Sequence, residues 1–460
     1  MKTIMNRYQD INNYFAKYIN TFSEAGNADR KYFADRFLQT GVPPKSNELW
    51  RNFNWNMILE HTYSVKTEPD KFQLSDSVFS CDIHDIDTCM FTFMNGWYVH
   101  NNAPLTVFPN GVVIGSFRHA VAAYADLIRH YMEQSRKQPH SGMFDMASAL
   151  YQDGCFIYIP DNVKFTQPIQ MVNVVNNDRD LFINMKNMVI LGKNASLSLI
   201  HCDDTIQSGH TLINTATELF VEDNAELVYF KLENEDKKTI LLNDSTVYQG
   251  EKSRVCTFSN VFNGGVVHNS LYSHLLGEGA DIDMNGLYLV DKQQNVVNCV
   301  SVNHHAGNCT SRQLYNGIMD DDSQAGFVGH IYVAQDAQKT EASQVNHNIL
   351  LTDRAAIDTK PFLEIYADDV KCSHGATVGQ LDEDAVFYMR SRGICEKNAK
   401  MLLMHAFAKE VVDKISIAPL VSYTENLVEK RLSGQTLFCA GCTKACEQKP
   451  IHFEITMPEI

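Results

Sequence analysis

A thiol and an imidazole stand two residues apart, as Cys372 and His374. Residues i and i+2 of a β-strand face the same way, so both groups would point to one side of a strand. Together they suit an iron–sulfur species, Zn²⁺ or Cu⁺. Two ligands do not complete a four-coordinate site, so a second chain would have to supply the others. The alternative is that both are core groups, because cysteine is among the most buried residue types.

Three cysteines near the end of the chain form a second candidate site. Cys439, Cys442 and Cys446 have the spacing C-x2-C-x3-C. This spacing suits Zn²⁺ or an iron–sulfur cluster, with His452 or an external group as the fourth ligand. No second spaced pair accompanies them, so the alternative is a tail that carries exposed thiols.

The elements that must position Cys372 and His374 are a strand before them and a helix after them. Apolar and polar side chains alternate over residues 363–368, which predicts a half-buried strand. Acidic side chains at 382–384 suit the first turn of a helix, where the positive end of the helix dipole lies. Gly393 is typical of a helix end, because it can adopt the left-handed conformation.

Before that strand, a turn, a small residue and an alternating apolar segment recur over about two hundred residues. The small residues are Ala195, Ala225, Ser253, Ala280, Ser323 and Ala355. Their separations are 30, 28, 27, 43 and 32 residues, which we interpret as a near-constant period with one insertion. Such a period indicates a stacked solenoid, and short strands favour a parallel β-helix. A β-sandwich is the alternative, because Asn-Gly pairs at 263–264, 285–286 and 316–317 could form hairpin turns.

Helices are predicted on both sides of the strands. Apolar side chains recur at spacings of three and four at Tyr8, Ile11, Phe15 and Ile19. The segment 41–44, Gly-Val-Pro-Pro, ends a second helix. We interpret Trp50 and Trp55 as packing residues. An apolar stripe over residues 401–412 predicts a helix after the strands.

The bulk properties exclude several classes of protein. The 460 residues carry a formal charge of −16, which argues against a general nucleic-acid or anionic-membrane binder. No apolar run reaches the roughly 18 residues of a membrane-spanning helix. The twelve cysteines and the lack of an apolar signal core predict a reducing, cytoplasmic compartment. No phosphate-binding Gly-Lys-Ser/Thr loop is present, so any ATP would be bound by another chain.

Two segments resemble the SufB/SufD scaffold family of iron–sulfur cluster assembly. They are residues 364–377, Glu-Ile-Tyr-Ala-Asp-Asp-Val-Lys-Cys-Ser-His-Gly-Ala-Thr, and residues 387–393, Phe-Tyr-Met-Arg-Ser-Arg-Gly. Residues 154–160 are similar to the segment that opens the family's β domain, and residues 48–51 are a looser match. Ala355 stands where SufB-like members carry a cysteine, and Gly375 stands where they carry an acidic residue. At both positions the chain differs from SufB-like members and resembles the SufD branch of the family.

The resemblance implies an all-β core that is a right-handed parallel β-helix, with helical N-terminal and C-terminal segments. We accordingly divide the chain into four regions. These are a helical or mixed region at 1–150, the β-helix at 151–379, a helical segment at 380–434 and a cysteine-containing tail at 435–460.

The resemblance also implies a non-enzymatic scaffold that pairs with a SufB-like chain and docks a SufC-like ATPase. His374, and less strongly Cys372, would lie at the cluster-assembly interface, facing a cysteine of the SufB-like chain. For the ATPase-docking helical segment we name Phe387, Tyr388, Arg390 and Arg392. The isolated chain would bind no cofactor tightly and would form a homodimer, and an iron–sulfur cluster would be held transiently in the complex.

Two other functions stay open at this point. One is a stand-alone metal-binding protein that uses the C-terminal cysteines. The other is a β-helix enzyme acting on polysaccharides, which would need paired carboxylates in a groove. The remaining histidines of the repeats are interpreted as structural groups, namely His304, His305, His330 and His347.

Overall fold

The structure is a computed structural model that describes residues 2–22, 28–69, 83, 86–99, 103–207 and 209–433. The helices are α1 (Lys2–Phe22), α2 (Ala28–Thr40), α3 (Phe117–Ala123), α4 (Ala125–Ser135), α5 (Gly142–Leu150), α6 (Glu383–Ser391), α7 (Glu396–Val412) and α8 (Ala418–Leu432), with 3-10 helices at Glu48–Trp50 and Trp55–Glu60. The first strands are β1 (Cys89–Met94), β2 (Trp97–Val99), β3 (Leu105–Val107) and β4 (Val113–Ser116).

Sixteen further strands follow α5. They are β5 (Cys155–Ile159), β6 (Lys164–Asn176), β7 (Leu181–Leu191), β8 (Ser196–Gln207), β9 (Thr211–Val221), β10 (Glu226–Asn234), β11 (Thr239–Gln249), β12 (Arg254–Asn263), β13 (Val266–Leu275), β14 (Asp281–Val290), β15 (Asn295–His304), β16 (Thr310–Met319), β17 (Gln324–Val333), β18 (Glu341–Leu350), β19 (Ala356–Ile365) and β20 (Lys371–Gly379).

These strands form a parallel β-solenoid of about seven turns. From β5 onward the chain alternates between two ten-stranded sheets, and each strand pairs in parallel with the strand two places later. Apolar side chains from both sheets meet in the lumen, among them Leu199, Leu227 and Val267. Because neighbouring strands are parallel, the β-helix prediction is confirmed and the sandwich alternative is wrong.

The 43-residue separation is not an insertion, so this part of the repeat interpretation is wrong. Ala280 precedes β14, whereas Ser323 precedes β17 of the other sheet. Asp281 pairs with Thr310, and Thr310 pairs with Glu341, which gives turns of 29 and 31 residues. The small residues therefore follow one sheet as far as Ala280 and then switch to the other. The period itself is unbroken.

Two of the Asn-Gly pairs lie inside strands and make no hairpin. Gly286 pairs with Tyr315, and Gly317 pairs with Tyr288, across β14 and β16. A Cβ atom added to either glycine would lie 2.1 Å from the ring of its partner. These glycines therefore make room for two buried tyrosines in the lumen.

The N-terminal region covers one end and one face of the solenoid. Ile11, Phe15 and Ile19 of α1 are buried, which confirms the amphipathic helix. The ring of Trp50 stacks on that of His268, with centroids 3.7 Å apart, which confirms its packing role. Strand β1 pairs in parallel with β6, and β4 pairs antiparallel with β5. The chain before residue 150 therefore adds strands to both sheets.

The C-terminal helices cover the outer face of the other sheet. Val411 of α7 and Leu420 and Val428 of α8 are buried in one cluster with apolar side chains of that sheet, such as Phe230 and Leu287. Arg431 of α8 also forms an ion pair with Asp291. In the chain, α6 therefore lies between the last strand, β20, and these packed helices.

Candidate functional site

The last turn of the solenoid is open. Within the described residues, no strand pairs with the outer edge of β19 or of β20. Eight of the nine residues of β20 are exposed, whereas β9 and β11, in the middle of the other sheet, are buried throughout. Edge strands present backbone N–H and C=O groups that can pair with another chain. The open turn is therefore a surface suited to strand pairing.

Cys372 and His374 lie on the face of β20 that is directed into the lumen. They pair with Ala342 and Gln344 of β18, both of which are buried there. Cys372 is half-buried against an apolar cluster that includes Ile331, and this burial raises the pKa of its thiol. His374 is exposed. The structure thus brings the two groups to one face, at the mouth of the open turn.

Exposed apolar side chains also lie on the two strands of this last turn. Ile365 of β19 is 39% exposed and Val378 of β20 is 46% exposed. The strand predicted at 363–368 ends at Ile365, and Ala367 is buried where the chain turns toward β20. Exposed apolar surface of this kind, rimmed by polar residues, marks interaction sites.

Helix α6 carries the second candidate surface. Asp382 caps its first turn by accepting hydrogen bonds from the backbone N–H groups of residues 384 and 385, and Gly393 follows it with a φ of +89°. Val386 is buried, but Phe387 and Tyr388 are 71% and 59% exposed. Two adjacent exposed aromatic rings are typical anchors of a protein interface.

The two arginines named with these rings are held by local contacts. Arg390 lies 3.5 Å from Glu396 at the start of α7. Arg392 donates a hydrogen bond to the hydroxyl of Tyr388 at 3.2 Å, and its guanidinium lies over that ring. Tyr388 and Arg392 therefore contact each other at the end of α6, whereas Arg390 connects α6 to α7.

The remaining candidate residues are the C-terminal cysteines and the histidines of the repeats. Cys439, Cys442 and Cys446 lie outside the described residues. The histidines of the repeats have local partners, since His304 bonds Ser311, His305 stacks on His274, His330 bonds Ser301, and His347 bonds Thr377.

Two groups of buried ionisable residues were not predicted from the sequence. In the lumen, the ammonium of Lys231 lies 3.0 Å from Glu233 and 3.5 Å from Asp203. Burial alone would raise the pKa of Asp203, but the imidazole of His201 and Lys231 outweigh this effect and lower it. The sequence signal that could have revealed this group is the presence of charged residues at inward-facing positions of strands that lie one turn apart.

The second group lies between the outer face of the other sheet and the N-terminal helices. Lys186 and Glu218 form an ion pair at 2.6 Å, and both are buried. Asp244 accepts a hydrogen bond from Ser141 at 2.6 Å, directly before α5. Burial raises the pKa of Asp244 to about 7, although Ser141 and Lys186 act in the opposite direction.

Comparison with known families covers nearly the whole chain. The SufBD protein N-terminal region matches residues 2–171, and the SUF system FeS cluster assembly SufBD core domain matches residues 174–407. The chain belongs to the SufBD family of iron–sulfur cluster assembly proteins. The resemblance of the sequence to this family is thereby confirmed.

Individual SufBD relatives agree with this assignment. The iron–sulfur cluster assembly protein SufD of Escherichia coli is 27% identical over 87% of this chain and 91% of its own length. SufD of Bacillus subtilis is 24% identical over 82% of this chain and 88% of its own. The SufBD family protein slr0076 of Synechocystis is 27% identical over 71% and 74%. In the described ranges no helix is long and apolar enough to cross a membrane.

Proposed function

We propose that this SufBD-family chain is a scaffold subunit without enzymatic activity of its own, which pairs with a SufB-like subunit through β19 and β20. The observation that carries the proposal is the open last turn, with its available strand edges and its exposed apolar mouth. A second solenoid that continues either sheet would form hydrogen bonds with the unpaired backbone groups of the edge strand, and it would cover Ile365 and Val378. SufD relatives of E. coli and B. subtilis are named as iron–sulfur cluster assembly proteins, which supports a role of this chain in assembly.

His374 and Cys372 are proposed to act at this pairing surface during cluster assembly. An imidazole and a thiol at the mouth of an incomplete site would meet ligands supplied by the partner chain. The iron–sulfur cluster is cargo in this scheme and passes through the complex. No tightly bound cofactor is proposed for the isolated chain.

The test compares His374→Ala with Ser373→Ala in the complex with the SufB-like and SufC-like proteins of the same organism. His374 is exposed, so its removal leaves the thermal midpoint of the chain unchanged and the complex co-purifies. Maturation of an iron–sulfur enzyme in the same cells falls with His374→Ala and not with Ser373→Ala, whose side chain points away from the lumen. Loss of stability, or unchanged maturation, would assign His374 a structural role instead.

The same surface is proposed to pair two copies of the chain when no SufB-like partner is present, giving a homodimer. Light scattering at tens of micromolar then gives a two-fold mass. Val378→Glu places a charge on the exposed apolar mouth and yields monomers, whereas Val107→Glu in β3, where the valine is 61% exposed, stays dimeric. A strictly monomeric unmodified chain would contradict this pairing.

The SufC-like ATPase is proposed to dock on α6 through Phe387, Tyr388, Arg390 and Arg392. Phe387→Ala removes an exposed anchor and weakens ATPase binding by roughly tenfold or more, as expected for an interface hot spot. Leu38→Ala is the control, since this leucine of α2 is 48% exposed on another part of the surface. ATPase retention by a folded Phe387→Ala/Tyr388→Ala double variant would place the docking surface elsewhere.

A further inference from the structure

Two histidines and one aspartate converge where the N-terminal region meets the first turns of the solenoid. The Nδ1 atom of His61 lies 3.6 Å from Oδ2 of Asp180, and the Nδ1 atom of His210 lies 3.5 Å from Oδ1. The two imidazole rings stack, with centroids 3.7 Å apart. All three residues are half-buried, and one ligand atom from each lies within 4.8 Å of the others.

The separations fit a metal ion better than hydrogen bonds. N–H···O hydrogen bonds have donor–acceptor distances of about 2.7–3.2 Å, which both imidazole–carboxylate distances exceed. Ligand atoms about 2.0–2.1 Å from a tetrahedral ion lie about 3.3–3.4 Å apart. The observed 3.5 and 3.6 Å are close to this edge length, but they end on the two different oxygens of Asp180. Binding of one ion would therefore turn the carboxylate and tilt the two stacked rings so that one oxygen and both imidazoles face it.

The backbone holds the three residues in place from separate elements. Asp180 and His210 occupy equivalent positions of successive turns, directly before the paired residues Leu181 and Thr211. Oδ1 of Asp180 accepts a hydrogen bond from the backbone N–H of His210 at 2.8 Å, an outer contact that orients the carboxylate.

His61 reaches this corner from the N-terminal region. Its carbonyl accepts a hydrogen bond from the hydroxyl of Tyr14 in α1, and its N–H donates to the carbonyl of Ile58. Ser64, three residues later, donates through both its N–H and its hydroxyl to the carbonyl of Asp180. The backbone of His61 is therefore held beside the solenoid before any ion binds.

We propose that His61, Asp180 and His210 bind a divalent transition-metal ion, with Zn²⁺ as the best match to two imidazoles and one carboxylate. Three protein ligands leave the fourth position of a tetrahedral ion to water. The ion would connect the N-terminal region to the first two full turns of the solenoid and stabilise their contact. The site is separate from the last turn of the solenoid, because Asp180 and His210 directly precede β7 and β9.

The test uses the full-length chain carrying C439S, C442S and C446S, so that those thiols do not compete. After treatment with a chelator and dialysis, CoCl₂ is added and the visible spectrum is recorded, and Zn²⁺ binding is measured by calorimetry. We expect one ion per chain and cobalt d–d bands without a thiolate charge-transfer band. Binding of Zn²⁺ raises the thermal midpoint, because the ion binds the folded chain.

Single variants decide whether these three residues are the ligands. His61→Ala, His210→Ala and Asp180→Asn each reduce Zn²⁺ affinity by roughly tenfold or more, since even outer contacts are worth that much. Asp180→Asn keeps an oxygen for the His210 N–H and guards against a folding defect. His130→Ala, an exposed histidine of α4, leaves affinity unchanged. Absence of uptake by the chain with the three serine substitutions, or equal uptake by the ligand variants, would overturn the proposal.

Discussion

Asp244→Asn is predicted to stabilise the chain, and increasingly so as the pH rises. Asp244 is buried between β11 and the residues before α5, and burial raises its pKa from 3.8 to about 7. The folded state therefore holds a proton that the unfolded state releases between about pH 4 and pH 7. In that window rising pH favours unfolding of the unmodified chain. Asparagine, which has no such proton to lose, removes the effect.

The magnitude of the Asp244→Asn effect follows from the displacement of the pKa. About three pKa units at about 1.4 kcal/mol each give a gain of about 4 kcal/mol at pH 8. At pH 5, which is only about one pH unit above the unfolded pKa, the gain is roughly 1–2 kcal/mol. With an unfolding entropy of about 2 cal/mol/K per residue, a cooperative unit of this length shifts by about 1 °C per kcal/mol. The expected gain in Tm is about 2 °C at pH 5 and about 4 °C at pH 8.

Differential scanning calorimetry at the two pH values measures the Asp244→Asn effect directly. Asp35→Asn is the control, because Asp35 is exposed on α2, and its Tm stays within about 1 °C of the unmodified chain at both values. A Tm gain for Asp244→Asn that is the same at pH 5 and pH 8 would mean that removal of the charge is not the cause. A loss of Tm at pH 8 would show that the buried carboxyl of Asp244 does not destabilise the folded chain.

Two further predictions concern the solenoid. Gly317→Ala forces a Cβ atom against the ring of Tyr288 and lowers the free energy of unfolding by roughly 1–3 kcal/mol. Gly375→Ala is the control, because no atom lies within 4 Å of its new Cβ, and it leaves the Tm of the isolated chain unchanged. Equal Tm values for both variants would contradict the close packing at Gly317. Lys186→Met leaves Glu218 buried without its ion-pair partner and lowers the free energy of unfolding by about 3–5 kcal/mol. Lys193→Met breaks an exposed pair with Asp223 and lowers it by less than about 1 kcal/mol. Chemical denaturation of both variants measures this difference.

The solenoid could be predicted because its signal is local and repeated. Each turn needs a small buried residue where the chain enters a strand, and Ala195, Ala225 and Ala280 are fully buried there. The sheet to which each repeat belongs could not be predicted from the small residues. The corners before strands of both sheets carry small residues, so Ser323 looked like the next member of the series although it belongs to the opposite sheet.

The buried charges and the proposed metal ligands could not be predicted because their contacts join distant parts of the chain. Lys186 and Glu218 are 32 residues apart and meet through pairing of β7 with β9. His61 reaches Asp180 only because the N-terminal segment lies beside β7. Neither the composition of the chain nor the residue period of a strand predicts which distant residues come into contact.

The open last turn shows most clearly what a strand pattern leaves undecided. A period of two fixes the face on which Cys372 and His374 lie, and the structure places both toward the lumen. The same pattern in β18 buries Ala342 and Gln344, because β20 lies over them. Whether an inward thiol and imidazole are core groups or a site therefore depends on whether another turn follows. Within the described residues none does, and this is why the proposed pairing with a partner chain has to be tested at His374.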